Sequence, residues 1–305
     1  MFTYKASYPE ISLSEIKWNS IDSKTQNFNI SGLKKKFITD GILQIKLKDL
    51  MESDMYHQFD EITRLLGSHV QSNAGRRNIS VISNKKMISV DLERDYVKPH
   101  AETSFSPARP SVIAFLCADI ENLASLEGKT TLIDGTKLWN SLDLNTRQIL
   151  LNTKICYNLR IQIPRKNDVP NEYRSWFIDS PGVEDVFINQ SQGTLKFKYT
   201  TDYLNVHPLT KKISIANHSF IDLDSEPQIS SRNILYASSS HTFLEVQSAL
   251  EIVFKKVHSF TYSFTWDKGH ILVLDNYRFM HGRLPYNLNL KREIFIKQFK
   301  HFLYY

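Results

Sequence analysis

Five apolar runs rich in β-branched and aromatic residues limit what this chain can become. They are SVIAFLCADI (111–120), KICYNLRIQIP (154–164), LKFKYTTDY (195–203), HILVLD (270–275) and EIFIKQF (293–299). The first is continuously apolar, as a strand buried on both faces would be. The second alternates, so that Ile155, Tyr157, Leu159, Ile161 and Ile163 share a face. Upstream, GILQIKL (41–47) alternates like a strand, and DMYHQFDEITRLLG (54–67) reads as an amphipathic helix closed by Gly67. Two further helices are expected over LWNSLDLNTRQILL (138–151) and SHTFLEVQSALEIVFKKV (240–257), the latter with lysines in its last turn. Strands and helices do not alternate regularly, which disfavours a parallel βαβ fold. The expectation is a mixed α/β chain with a mainly β core, a barrel or sandwich, and helices packed outside. It forms one domain over 1–305, with 1–40 as an extension ahead of the core.

Of the 305 residues, 41% are hydrophobic and 23% charged, which is ordinary globular composition. The formal net charge of +6 is scattered, apart from Lys34, Lys35 and Lys36. No aromatic and basic residues interleave as a nucleic-acid module requires. The charge suits anionic small molecules or an acidic protein partner. Cys117 and Cys156 both sit in apolar runs and read as buried thiols in a reducing compartment. The N-terminal stretch lacks a basic segment followed by an apolar one, and no apolar run approaches the ~18 residues of a membrane span. A cytoplasmic protein with no membrane contact is expected.

The stretch KPHAETSFSP (98–107) puts His100 and Glu102 two residues apart. On an extended segment they face the same way. A second stretch, HILVLDNYRFMHGRLPYNLNLKREIF (270–295), runs from a strand into a loop that delivers His281, with Asp275 and Asn276 supplying the turn. Arg292 then heads the last strand, with Ile294 and Ile296 on its apolar face. Each group has an ordinary reading: a hydrogen-bonded pair, a structural histidine, a surface cation. Jointly they fit Fe(II), which is well held by two imidazoles and one carboxylate with positions left for a chelating α-keto acid and O₂. The distal carboxylate of such a keto acid needs a cation, and a planar guanidinium suits it. The same set fits a catalytic Zn²⁺ hydrolase, and a binding module with a degenerate site is a third reading.

The motifs resemble those of the taurine dioxygenase-like superfamily of Fe(II)- and 2-oxoglutarate-dependent oxygenases. Within it, they are most similar to the syringomycin-biosynthesis-type aspartyl hydroxylases and their clavaminate synthase-like relatives. The resemblance lies in HAETSFSP, in EGKTTLIDG (127–135), in LDNYRFMHGRLP (274–285) and in KREIFI (291–296). It covers residues from roughly 40 to the end and implies a double-stranded β-helix, or jelly roll, with helical insertions. It implies His100, Glu102 and His281 as iron ligands. Thr130 matches the threonine that contacts 2-oxoglutarate, and Arg292 matches the arginine that binds its distal carboxylate. The turn reads Glu127-Gly128-Lys129-Thr130 where a double glycine is common, so Thr131 stays open as the contact. A carboxylate at position 102 argues against halogenation. Ile296 stands where a sulfonate-binding arginine would be, which disfavours a sulfonate substrate.

The implied reaction decarboxylates 2-oxoglutarate to succinate and CO₂ and oxidises an unactivated C–H bond. The resemblance suggests an amino acid or amino-acid derivative, free or tethered to an acidic carrier protein, in specialised-metabolite (antibiotic) biosynthesis. Hydroxylation is expected, with desaturation or oxidative decarboxylation of a modified amino acid, such as an isonitrile, as the alternative. Arg76, Arg77 and Arg283 could meet a substrate carboxylate. For Arg76 and Arg77 a solvated surface is the stronger reading. Phe105 either lines the pocket or packs in the core, and Trp176 reads as a packed aromatic.

Overall fold

The computed structural model describes residues 15–18, 30–47, 52–64, 67–69, 79–82, 85–90, 94–107, 109–121, 127–162, 180–220, 229–287 and 291–300. Its centre is two antiparallel sheets. The larger runs β1 (Glu15–Trp18), β2 (Ile42–Leu47), β16 (His270–Asp275), β7 (Val112–Ile120), β18 (Arg292–Lys300), β5 (Lys85–Ser89) and β4 (Ile79–Ile82), with β3 (Ser68–His69) also pairing β18. Only its β1–β2 pair is parallel. The smaller sheet runs β15 (Thr261–Phe264), β8 (Thr130–Asp134), β17 (Phe279–Arg283) and β6 (Val97–His100). Among the described residues no pairing joins these sheets, so the core is a sandwich and not a closed barrel.

Strand alternation explains the continuous apolar runs. Along β7, Ile113, Phe115 and Cys117 join Leu132, Phe264, Leu274, Phe279, Ile294 and Ile296 in one cluster, drawn from both sheets. The alternate residues Val112, Ala114 and Leu116 pack on the opposite face against Met55, Tyr56, Phe59 and Ile62. The latter four belong to α2 (Glu52–Arg64), which with α1 (Ile30–Asp40) covers the outside of the larger sheet. A strand covered on both faces has no place for a polar face.

The outside of the smaller sheet is covered as well. Ile133 of β8 and Met280 of β17 point into a third cluster with α3 (Gly135–Asn140), α4 (Leu144–Leu151) and α5 (Phe243–Val257). That cluster also takes Ile155, Tyr157, Leu159, Leu195 and Phe197 from an outer sheet. The outer sheet has the order β10 (Val183–Asn189), β11 (Thr194–Asp202), β9 (Thr153–Gln162) and β14 (Ile229–Ser238). A short β12 (Asn205–Val206) and β13 (Ile213–Ser214) pair separately. Both cysteines are free and buried. No helix among the described residues is long and apolar enough to cross a membrane.

Three expectations are corrected. The segment 138–151 is two helices, because the Asp143 side chain accepts from Thr146 N–H at 2.8 Å and starts α4 afresh. His281 sits inside strand β17 and not in a loop. Glu102 lies in a turn after β6, where Ser104 N–H donates to Ala101 O at 3.3 Å and Thr103 takes φ 52°, so the pair is not an extended i, i+2 pair.

Candidate metal centre and cosubstrate pocket

Two strands bring the histidines together. In the β17–β6 ladder His281 is the register partner of His100, and the ring centroids are 4.4 Å apart. Residues directly opposite in an antiparallel pair share a face, so the ladder itself delivers two imidazoles to one place. The turn after β6 swings Glu102 beneath them. Its Oε2 lies 3.9 Å from His100 Nε2 and 3.7 Å from His281 Nε2. One donor atom from each residue falls within 4.8 Å of the others.

Each donor is oriented from behind. His100 Nδ1 donates to Lys98 O at 2.9 Å, which turns Nε2 towards Glu102 as the nitrogen available to a metal. The His281 ring is held edge-on by Phe115 at 5.3 Å. Gln298 Nε2 donates to Glu102 Oε1 at 3.0 Å, leaving Oε2 as the atom nearest the histidines. The Glu102 backbone is gripped by Asn276, whose Oδ1 accepts from Glu102 N–H at 2.8 Å. The Asn276 Nδ2 donates to Glu102 O at 2.9 Å and to Pro110 O at 2.8 Å. Arg109 in turn donates to the Asn276 carbonyl and lies over the Tyr277 ring at 4.5 Å. Burial pulls the Arg109 pKa below its ordinary value, opposed by Tyr277, Tyr157 and Asp275.

The triad opens on a cavity of about 170 Å³ between the two sheets. Arg292, Ile294 and Ile296 of β18 line it, with Gln298 continuing the same face towards Glu102. Arg292 stands at the far end. Its Nε donates to Gly128 O at 3.0 Å and its Nη2 to Thr130 Oγ1 at 3.5 Å. Thr130 lines the cavity and also accepts from Trp266 Nε1 at 2.8 Å. Thr131 points to the other face of β8, so Thr130 is the threonine brought to Arg292. Arg283, two residues along β17 from His281, lines the same cavity. Phe105 is buried among apolar side chains, 4.9 Å from the ring of His218, which lies edge-on to His100 at 5.0 Å. Arg76, Arg77 and Trp176 lie outside the described residues.

The model for the Taurine catabolism dioxygenase TauD, TfdA family matches residues 41–295. The chain belongs to this family. TauD/TfdA enzymes are 2-oxoglutarate-dependent non-heme iron dioxygenases, and this chain is one, with Fe(II), 2-oxoglutarate and O₂ as its cofactor and cosubstrates. No curated protein matches the chain significantly. Solved structures from Burkholderia xenovorans share the TauD/TfdA fold. A provisionally assigned alpha-ketoglutarate-dependent taurine dioxygenase matches at TM-score 0.58 and 13% identity, over 96% of this chain and 92% of its own. A taurine dioxygenase matches at TM-score 0.56 and 13% identity, over 96% and 88%. A provisionally assigned alpha-ketoglutarate-dependent 2,4-D dioxygenase matches at TM-score 0.54 and 12% identity, over 96% of each chain. The donor set of this TauD/TfdA chain fits the metal: two imidazole nitrogens and one carboxylate, converging on one side of a cavity whose remaining wall, apart from Thr130, is apolar or cationic.

Proposed function

We propose that His100, Glu102 and His281 hold Fe(II), that Thr130 and Arg292 bind the distal carboxylate of 2-oxoglutarate, and that the enzyme hydroxylates an unactivated C–H bond of an amino-acid-like substrate. One observation carries this reading: the His281–His100 ladder pair and Arg292 lie on facing sheets and line one cavity, with the cation at the end away from the donors. A zinc hydrolase would need the triad but not a buried guanidinium across from it. When bound, the iron supplies the oxidising chemistry on O₂ as 2-oxoglutarate is split to succinate and CO₂.

The chain's own residues do the rest. Arg292 and Thr130 fix one end of the keto acid by charge-assisted hydrogen bonds. Phe115, Ile294 and Ile296 keep water from the cavity wall. Gln298 and Asn276 keep Glu102 from turning away. Arg283, which lines the cavity with its guanidinium on the same Tyr286 ring as that of Arg292, is the described residue we assign to a substrate carboxylate. HAETSFSP and LDNYRFMHGRLP support a place among the syringomycin-type hydroxylases, hence a substrate that is an amino acid or a carrier-bound aminoacyl group. Ile296 disfavours a sulfonate.

The test is a mass-spectrometric screen of amino acids and carrier-bound aminoacyl groups with Fe(II), ascorbate and 2-oxoglutarate. A gain of one oxygen matched by succinate is expected. A loss of two hydrogens, or of CO₂ from the substrate, would replace hydroxylase by desaturase or decarboxylase. Absence of Fe(II)- and O₂-dependent succinate with every substrate would overturn the reading. Arg292→Lys should raise the KM for 2-oxoglutarate about tenfold or more, since an ammonium cannot reproduce the fork.

A further inference from the structure

The loop after His281-Gly282-Arg283 is pinned on two sides. Leu284 N–H donates to Lys129 O at 2.9 Å, Gly128 N–H to Pro285 O at 3.2 Å, and Tyr286 N–H to Arg94 O at 3.1 Å. These bonds place the Tyr286 ring, only 8% exposed, among three guanidiniums. The Cζ of Arg283 lies 4.9 Å from the ring centroid, that of Arg94 5.5 Å and that of Arg292 5.7 Å. Arg283 and Arg292 line the cavity, whereas Tyr286 stands behind them.

Two guanidiniums at one buried cavity end repel each other. An aromatic ring answers both at once, because its quadrupole attracts cations and the attraction grows where water is excluded. The ring also leaves each arginine fewer poses. Arg292 is held by Gly128 O and Thr130 Oγ1. Arg283 Nη2 donates to Asp95 O at 3.0 Å, one residue from Arg94. Tyr286 is a side chain that all three arginines share, so a change there bears on the cationic end of the cavity as a whole.

We propose that Tyr286 is a positioning residue for the cosubstrate: its ring sets the joint pose of Arg292 and Arg283 and so tunes affinity for the distal carboxylate of a dicarboxylic keto acid that it does not touch. This rests on the role given to Arg292 above. The ring is the working part, and the phenol hydroxyl is not required.

The experiment compares wild type, Tyr286→Leu and Tyr286→Phe in steady-state turnover and in anaerobic titrations of Fe(II) and of 2-oxoglutarate. Tyr286→Leu should raise the KM and the dissociation constant for 2-oxoglutarate about tenfold, with kcat at saturating cosubstrate and Fe(II) affinity near wild type. Tyr286→Phe should stay within about twofold of wild type, because the quadrupole is kept. If Tyr286→Leu does not fold, Tyr286→Met takes its place, with the same rise expected. An unchanged KM in the non-aromatic variant overturns the proposal. So does a Tyr286→Phe variant that fails equally, or a loss of kcat and Fe(II) binding together, which would mark a structural role. A wild-type protein that binds Fe(II) but no 2-oxoglutarate would overturn the cosubstrate reading itself.

Discussion

Strand β17 and strand β10 are built on opposite principles. Every residue of β17 is buried, in a segment that carries two chemically active side chains, His281 and Arg283. In β10, Val186 and Phe187 are 37% and 57% exposed, and no residue is fully buried. The inner strand is covered on both faces, so its polar side chains can only face the cavity, and their geometry is set by strand register. The outer sheet packs one face on α5 and leaves the other to water. Precision in this molecule follows from two-sided burial, and the outer sheet serves as a wall.

That contrast can be broken at the inner strand first. His281→Ala removes an imidazole but leaves the ladder backbone, so succinate release should vanish while circular dichroism and thermal midpoint stay close to wild type. Retained turnover would refute the assignment. At the outer wall the pattern should invert. Leu250→Ala, in the buried face of α5, should cost about 2–5 kcal/mol in denaturant unfolding yet leave the KM for 2-oxoglutarate unchanged. A KM that moves with stability would show that the wall also shapes the pocket.

Gly282 sharpens the comparison, because it couples both effects. A Cβ there would lie 2.5 Å from Val97 O and 2.7 Å from Thr131 Oγ1, between the two strands that flank β17. Gly282→Ala should destabilise by roughly 1–3 kcal/mol and also reduce turnover by spreading His281 from His100. The smallest effect is expected at the start of α5. There Thr242 N–H donates to Glu245 Oε2 at 2.7 Å and, with the Thr242 hydroxyl, holds that carboxyl below its ordinary range. A carboxyl whose pKa is depressed by folding stabilises above its unfolded value (~4.3) and loses that contribution as pH falls through the folded value. Glu245→Gln should therefore flatten the acid side of the stability profile slightly, without altering turnover.

Much of this was legible in the sequence. The residue types and order of His100, Glu102, His281 and Arg292 pointed to the site, and the apolar runs marked β7, β9, β11, β16 and β18. What escaped was what depends on pairing. His281 looked like a loop residue because strand β17 is only five residues long and follows a turn closely. Its inward face (Phe279, His281, Arg283) is part apolar and part polar, so it shows no period-2 hydrophobic pattern. The split between α3 and α4 was signalled by Asp143 three residues before Thr146, a capping pattern inside an otherwise helical run. Thr130 and Thr131 could be separated only once β8 had a register. Gln298 gave no signal, since its partner Glu102 lies 196 positions away in sequence. Asn276 was read as a turn residue, and its grip on Glu102 spans 174 positions.

The central claim is that three distant side chains converge on one ferrous ion that a keto acid then chelates. The most direct measurement is an anaerobic titration of the Fe(II)-loaded protein with 2-oxoglutarate, followed by its visible metal-to-ligand charge-transfer absorption. One equivalent of iron should bind the wild type, and the band should rise and saturate with 2-oxoglutarate. In His281→Ala and Glu102→Ala both should be lost or weakened. A wild type that binds no iron, or variants that give an unchanged band, would contradict the account.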